Sequence, residues 1–87
     1  MNKVRSRRVS RGAIVEMIDN SKGKIFTVTF TKNNGTERSI NCNYKRPMRG
    51  NNLGYLNVYS MKDFGYRNVN TRTITALKMN GVTYKVR

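Results

Sequence analysis

The residues Phe26-Thr27-Val28-Thr29-Phe30-Thr31 alternate without a break between large apolar side chains and threonine. Successive side chains of a strand point to opposite sides, so a period of two commits this stretch, within residues 24–32, to a β-strand with one buried face. The return segment, residues 36–43, carries Arg38, Ile40 and Cys42 on one face, and the turn between must bring two apolar faces together. A two-residue Asn34-Gly35 turn sets Ile40 opposite Thr29, on the wrong face. A three-residue loop, Asn33-Asn34-Gly35 with Gly35 left-handed as a bulge, sets Val28 opposite Ile40 and Phe26 opposite Cys42. The pattern therefore requires the longer loop.

Upstream of this hairpin, Ala13 and Met17, and Ile14 and Ile18, recur four residues apart, with Glu16, Asp19 and Asn20 on the other side. That spacing predicts a short helix capped by Ser10 and ended by Gly23. The β-branched pair Ile14-Val15 weakens the assignment, and helix is favoured over strand. Downstream, residues 44–54 contain the only proline, the cations Lys45, Arg46 and Arg49, and no acid, the composition of a surface loop. Residues 55–60 alternate again, Leu56 and Val58 against Tyr55, Asn57 and Tyr59. A turn over Lys62 and Asp63 leads to a short strand at 66–70, and residues 71–74 read as a tight helical turn. The closing hairpin turns on Asn80-Gly81, a two-residue type I′ turn that sets Met79 opposite Val82 and Leu77 opposite Tyr84. One short helix and about five to six strands with short links bury a single face most readily as a small barrel.

Composition bounds the core. A chain of 87 residues hides only about 60 to 65% of the surface its unfolded form exposes. With 37% apolar residues and no tryptophan, the core is expected to draw on Phe26, Phe30, Phe64, the tyrosines and scattered aliphatics. Against this thin core stand 18 Lys and Arg and only 4 acids, a formal charge of +14. Such an excess repels itself unless a polyanion or counterions relieve it, so a partner of opposite sign is expected. Nucleic acid leads and an acidic protein surface follows. Residues 1–11 hold five cations and no acid, which predicts a flexible basic arm ahead of a single domain over 12–87. Cys42 is the only cysteine, which excludes an internal disulfide and fits a reducing, cytoplasmic setting. No apolar run approaches the roughly 18 residues of a membrane span.

Several short motifs stand in a fixed order: Gly23-Lys24-Ile25-Phe26-Thr27-Val28-Thr29-Phe30-Thr31-Lys32-Asn33-Asn34-Gly35-Thr36-Glu37-Arg38 through Cys42, then Val58-Tyr59, Gly65-Tyr66-Arg67, Thr73-Ile74 and Asn80-Gly81-Val82-Thr83-Tyr84. This order, over most of residues 23–84, resembles a group of small, mostly phage-encoded proteins described as Sm-like, SH3-type β-barrels and related by name to the WYL domains. The resemblance implies the barrel, a phage or prophage source with the host cytoplasm as location, and nucleic acid as ligand. Two positions depart from it: Asn43 follows Cys42 where an Arg is expected, and Ser60 follows Tyr59 where an Asp is expected.

Catalytic chemistry is poorly supplied. There is no histidine, and Glu16, Asp19, Glu37 and Asp63 are scattered without paired spacing, so general acid-base catalysis and hydrolytic metal binding lack their groups. Cys42 reads as a small buried hydrophobe. No phosphate loop or dinucleotide motif is present, and neither enzyme activity nor a cofactor is expected. Binding chemistry is better supplied. Lys3, Arg5, Arg7, Arg8 and Arg11 form the arm, and Lys45, Arg46 and Arg49 a basic loop, both suited to phosphate. Tyr44, Tyr55, Tyr59 and Tyr66 stand beside cations or opposite aliphatic faces, as stacking platforms for unpaired bases do, although small barrels also bury tyrosines. Tyr84 pairs with Leu77 and belongs to the core. Arg38 lies at a strand end where its stem packs and its head emerges. Arg67 either contacts phosphate or braces its turn. The resulting expectation is a nucleic-acid-binding module, with a factor that docks on an acidic host protein as the alternative and a structural phage component as a third reading.

Overall fold

The computed structural model describes residues 5–44 and 54–87. Along the chain run β1 (Arg5–Val9), α1 (Arg11–Asp19), β2 (Phe26–Thr31), β3 (Glu37–Asn43), β4 (Tyr55–Ser60), β5 (Gly65–Asn70), a single 3₁₀ turn (Thr71–Thr73), β6 (Ile74–Met79) and β7 (Val82–Val86). The strands form one seven-stranded sheet in the order β1-β7-β6-β2-β3-β4-β5.

The link between β5 and β6 makes this sheet curl. These strands are four positions apart in the order β6-β2-β3-β4-β5, which in a flat sheet is about 19 Å at ~4.8 Å per step. The connection is the 3₁₀ turn Thr71–Thr73, which spans only about 6 Å. The sheet must therefore roll until its β5 end meets the start of β6, giving a small mainly-β, barrel-like domain of the class expected. A bulge helps it bend. The register between β2 and β6 shifts from Thr29 opposite Ala76 to Phe30 opposite Ile74, and the extra residue, Thr75, donates its hydroxyl to the Thr29 carbonyl at 3.4 Å; such insertions sharpen local twist.

The hairpins follow the register read from the sequence. Val28 faces Ile40 and Phe26 faces Cys42, across a loop in which Gly35 has φ +84° and donates its N–H to the Lys32 carbonyl at 2.9 Å. Met79 faces Val82 and Leu77 faces Tyr84, with Asn80 and Gly81 both at positive φ, as a type I′ turn demands. Helix α1 begins where Ser10 accepts a hydrogen bond from the Ala13 N–H at 3.1 Å. It ends at Asn20, ahead of the turn through Lys22 and Gly23. Ile14 and Ile18 project from it, fully buried, into a core with Ile74, Leu77, Val28 and Val58. No helix among the described residues is long and apolar enough to cross a membrane.

The N-terminal segment departs from expectation. In place of a flexible arm, Arg5–Val9 is a strand running parallel to β7, from Arg5 opposite Val82 to Val9 opposite Val86. Arg11 is likewise no arm residue, since it opens α1. Edge strands leave a row of backbone donors and acceptors unpaired, and β7 offers that row to whatever extended chain lies beside it. Pairing needs only backbone groups and one apolar anchor; Val9 packs against the core, and its carbonyl accepts from the Arg87 N–H at 3.0 Å. The strand carries three arginines, Arg5, Arg7 and Arg8, and escapes a composition argument because the heads of Arg7 and Arg8 stay in water. Deleting residues 1–9 is therefore expected to cost about 2 kcal/mol or more, from lost ladder bonds and Val9 packing. Urea denaturation of the truncated chain checks this; a dispensable arm would leave the midpoint unchanged.

Candidate nucleic-acid interface

The β4–β5 hairpin gathers the exposed aromatic groups. On β4 the alternation puts Leu56 and Val58 inside and Tyr55, Asn57 and Tyr59 outside. On β5 Tyr66 and Asn68 face out while Val69 is buried. Tyr59 lies opposite Tyr66, and their rings meet edge to face with centroids 5.3 Å apart, a favourable arrangement that fixes both rings. Tyr66 remains 71% exposed and Tyr55 48% exposed. Asn57 reaches across to Asn68 at 2.8 Å, which keeps this outer face polar between the rings.

The turn joining the two strands is held by one carboxylate. Asp63 accepts from the Ser60 hydroxyl at 3.0 Å and from Arg67 Nε at 2.6 Å, while Arg38 of β3 lies 3.9 Å away. Ser60 is itself fully buried and accepts the Asp63 N–H at 3.4 Å, so the turn is tied to the barrel wall at its base. The Ser60 hydrogen bond is the main reason the Asp63 carboxyl lies below its ordinary value of 3.8; burial opposes this, and the hydrogen bond and charge of Arg67 and the charge of Arg38 add to it. Tied in this way, the turn presents Phe64, which is 84% exposed at φ +52°. A left-handed backbone at a bulky residue costs about 1 kcal/mol or more, and an exposed phenyl ring recovers nothing by burial. Lys62 is exposed on the same turn.

Phe64 corrects the sequence reading, which assigned it to the core. The signal was present in its position, within a turn and before Gly65, outside either alternating stretch. Tyr44 moves the other way: it is 4% exposed and part of the core, which leaves no ring face for a base. Arg38 and Arg67 are brought together on Asp63, and the bracing role of Arg67 is the one its geometry displays. Among the arm residues, Arg8 faces out beside Lys85, its partner on β7, and Lys78 is exposed on β6, so these three extend a basic strip that the sequence alone did not single out. Arg7 faces the other way, into a groove beside α1. Arg5 lies at the start of β1, opposite Val82. Arg11 donates its Nε to the Ile74 carbonyl at 3.3 Å and so ties α1 to β6. Lys3, Lys45, Arg46 and Arg49 fall outside the described residues.

The chain matches no protein-family model, no curated protein and no solved structure. Cys42 is fully buried, and burial pushes its thiol up to about 12, so it serves the core as an apolar filler.

Two outcomes follow. Because the folded-state value of Asp63 is depressed, its contribution to stability is fully present above pH 3.8 and is lost as pH falls through the lower folded value. Urea midpoints measured from pH 5 downward should therefore fall more steeply in the wild type than in Asp63→Asn. Cys42 should react with a thiol reagent only through opening of the fold, so that added urea accelerates modification in step with the unfolded fraction.

Proposed function

We propose that this protein binds nucleic acid through unpaired bases, stacking them on the β4–β5 turn while its cations neutralise phosphate. The observation that carries the reading is Phe64: a phenyl ring left 84% exposed, in a left-handed backbone, on a turn fixed by Asp63, within a chain of charge +14. Stacking on an aromatic ring accepts any base, since every base has a π-face, and needs a rigid platform more than a specific groove. Tyr66 and its edge-packed neighbour Tyr59 extend the platform by a second ring. Lys62 and the exposed part of Arg67 supply charge beside it.

The strip of Arg8, Lys78 and Lys85 supports phosphate contact along the outer face of β1, β7 and β6, where the backbone of a bound strand releases counterions as each cation is neutralised. The one α-helix among the described residues carries Glu16, exposed on its surface, and an acid there disfavours insertion into a duplex groove. A phage or prophage source, with the protein acting in the host cytoplasm, accords with the family resemblance and with a small basic binding module.

The test is fluorescence anisotropy of labelled single-stranded DNA, single-stranded RNA and duplex DNA across a salt series, with the protein freed of copurifying nucleic acid. Single strands should bind with a steep salt dependence. Phe64→Gly, which relieves the backbone strain, should leave the fold as stable or more so while weakening binding about tenfold, within the roughly 1 to 3 kcal/mol that stacking on one aromatic contributes. Arg8→Ser and Lys85→Ser should each lower the salt slope by about one. Equal binding by the wild type and Phe64→Gly would overturn the stacking platform.

A further inference from the structure

A second surface lies between α1 and the strands β1, β7 and β6. It is an open groove of about 670 Å³. Its apolar lining is Val9, Ala13, Met17, Met79 and Tyr84, each half-buried, so the side chains meet the core with one flank and the groove with the other. Two methionines in so short a floor make it adaptable, because thioether side chains repack around varied shapes. Around it stand Arg7, Lys22 and Lys24, all exposed. The single acid among the lining residues is Glu16, which leaves an excess of positive charge over an apolar floor.

Lys22 supplies an independent observation. Its φ is +54°, a conformation that glycine or asparagine adopts more cheaply. The neighbouring Gly23 is also left-handed, and the short turn is closed by Lys24, which donates its N–H to the Ser21 carbonyl at 3.1 Å. The strain is thus held by the turn, and its result is a cation fixed on the rim. Strained residues of this kind collect where a ligand is gripped.

We propose that this groove binds an acidic amphipathic peptide segment of a partner protein, its apolar side chains on the Val9, Met17, Met79 and Tyr84 floor and its carboxylates on Arg7, Lys22 and Lys24. Charge complementarity selects this occupant. An uncharged apolar segment leaves three cations without partners at the rim, and a bare phosphate chain leaves the apolar floor in water. The site is separate from the aromatic turn, so the protein would hold nucleic acid and a protein partner at once.

The test uses the full chain and three short fluorescein-labelled peptides: one alternating Leu or Phe with Asp or Glu, a second with Asn and Gln replacing the acids, and a third with Ser replacing the apolar residues. The first should bind saturably at micromolar concentration and shift the backbone amide resonances of Val9, Met17, Met79 and Tyr84; the other two should bind about tenfold more weakly. Lys22→Gly should raise the thermal midpoint or leave it unchanged while weakening the first peptide several-fold, a split that a merely structural lysine does not produce. Tyr66→Ala should leave peptide affinity unchanged, which separates this site from the base platform. Equal binding of the acidic peptides with and without apolar residues would show attraction by charge alone and overturn the proposal. So would resonance shifts confined to the β4–β5 turn, displacement of the peptide from the groove residues by a single-stranded oligonucleotide, or no saturation up to about 1 mM.

Discussion

Closure of the sheet through the 3₁₀ turn Thr71–Thr73 is the constraint on which the remaining architecture depends. Once β5 and β6 are joined by so short a link, the five strands from β6 to β5 cannot lie flat, and the face that rolls inward becomes the core. The turn itself is prepared for this role. Asn70 accepts from the Arg72 N–H at 3.0 Å, Thr73 donates its hydroxyl to the Asn70 carbonyl at 2.8 Å, and the buried Thr71 donates its N–H to the Gly54 carbonyl at 3.1 Å, so the polar groups of a tight, partly buried corner find partners in the turn and just ahead of β4. Helix α1 then covers the open end, with Ile14 and Ile18 against β6 and Arg11 tied to the carbonyl of Ile74, the first residue after the turn.

This geometry also explains how so small a core tolerates so much charge. Strand alternation sends Thr27, Thr29 and Thr31 of β2 and Ser39 and Asn41 of β3 to the outer surface, where Thr27 bonds Asn41 and Thr29 bonds Ser39. The middle of the sheet is therefore neutral and polar outside. Cations stand at either end of the strand order, Arg8 and Lys85 at one and Arg67 at the other, and Asp63 draws Arg67 together with Arg38 of β3. Spacing like charges around a neutral wall lowers their mutual repulsion and leaves each available to an external anion.

Much of this was legible in the sequence because it rests on local rules. The β2–β3 loop length follows from Val28 having to face Ile40, and the β6–β7 turn from Asn80-Gly81; both are decided within a dozen residues by the period of two and by turn stereochemistry. The role of residues 5–9 was hidden for the opposite reason: β1 pairs with β7 across almost the whole chain, and nothing in a run of arginines announces a partner edge so far away. Residue type alone points the wrong way for Tyr44 and Phe64, to a stacking platform and to the core, where position points the right way. Tyr44 follows directly on a buried alternation, Ile40 and Cys42 before it, whereas Phe64 lies in a turn where no such alternation reaches. The convergence of Arg38, Ser60 and Arg67 on Asp63 needs three strands in register, and no local pattern predicts it.

Backbone strain links the two proposed surfaces. Three non-glycine residues among those described have positive φ: Lys22, Phe64 and Asn80. Asn80 is accounted for by its hairpin, since a type I′ turn requires that conformation and asparagine adopts it readily. Lys22 and Phe64 have no such local advantage, for neither side chain is favoured in the left-handed region and neither is buried in compensation. Each is held there by hydrogen bonds around it, Lys22 by the turn between Ser21 and Lys24, Phe64 by the network on Asp63. Each is also exposed, Lys22 on the cationic rim of an apolar groove and Phe64 as a bare ring on the β4–β5 turn. A thinly cored, highly charged domain has little stability to spare, so strain retained at these two described positions supports the proposal that their side chains meet a ligand outside the molecule.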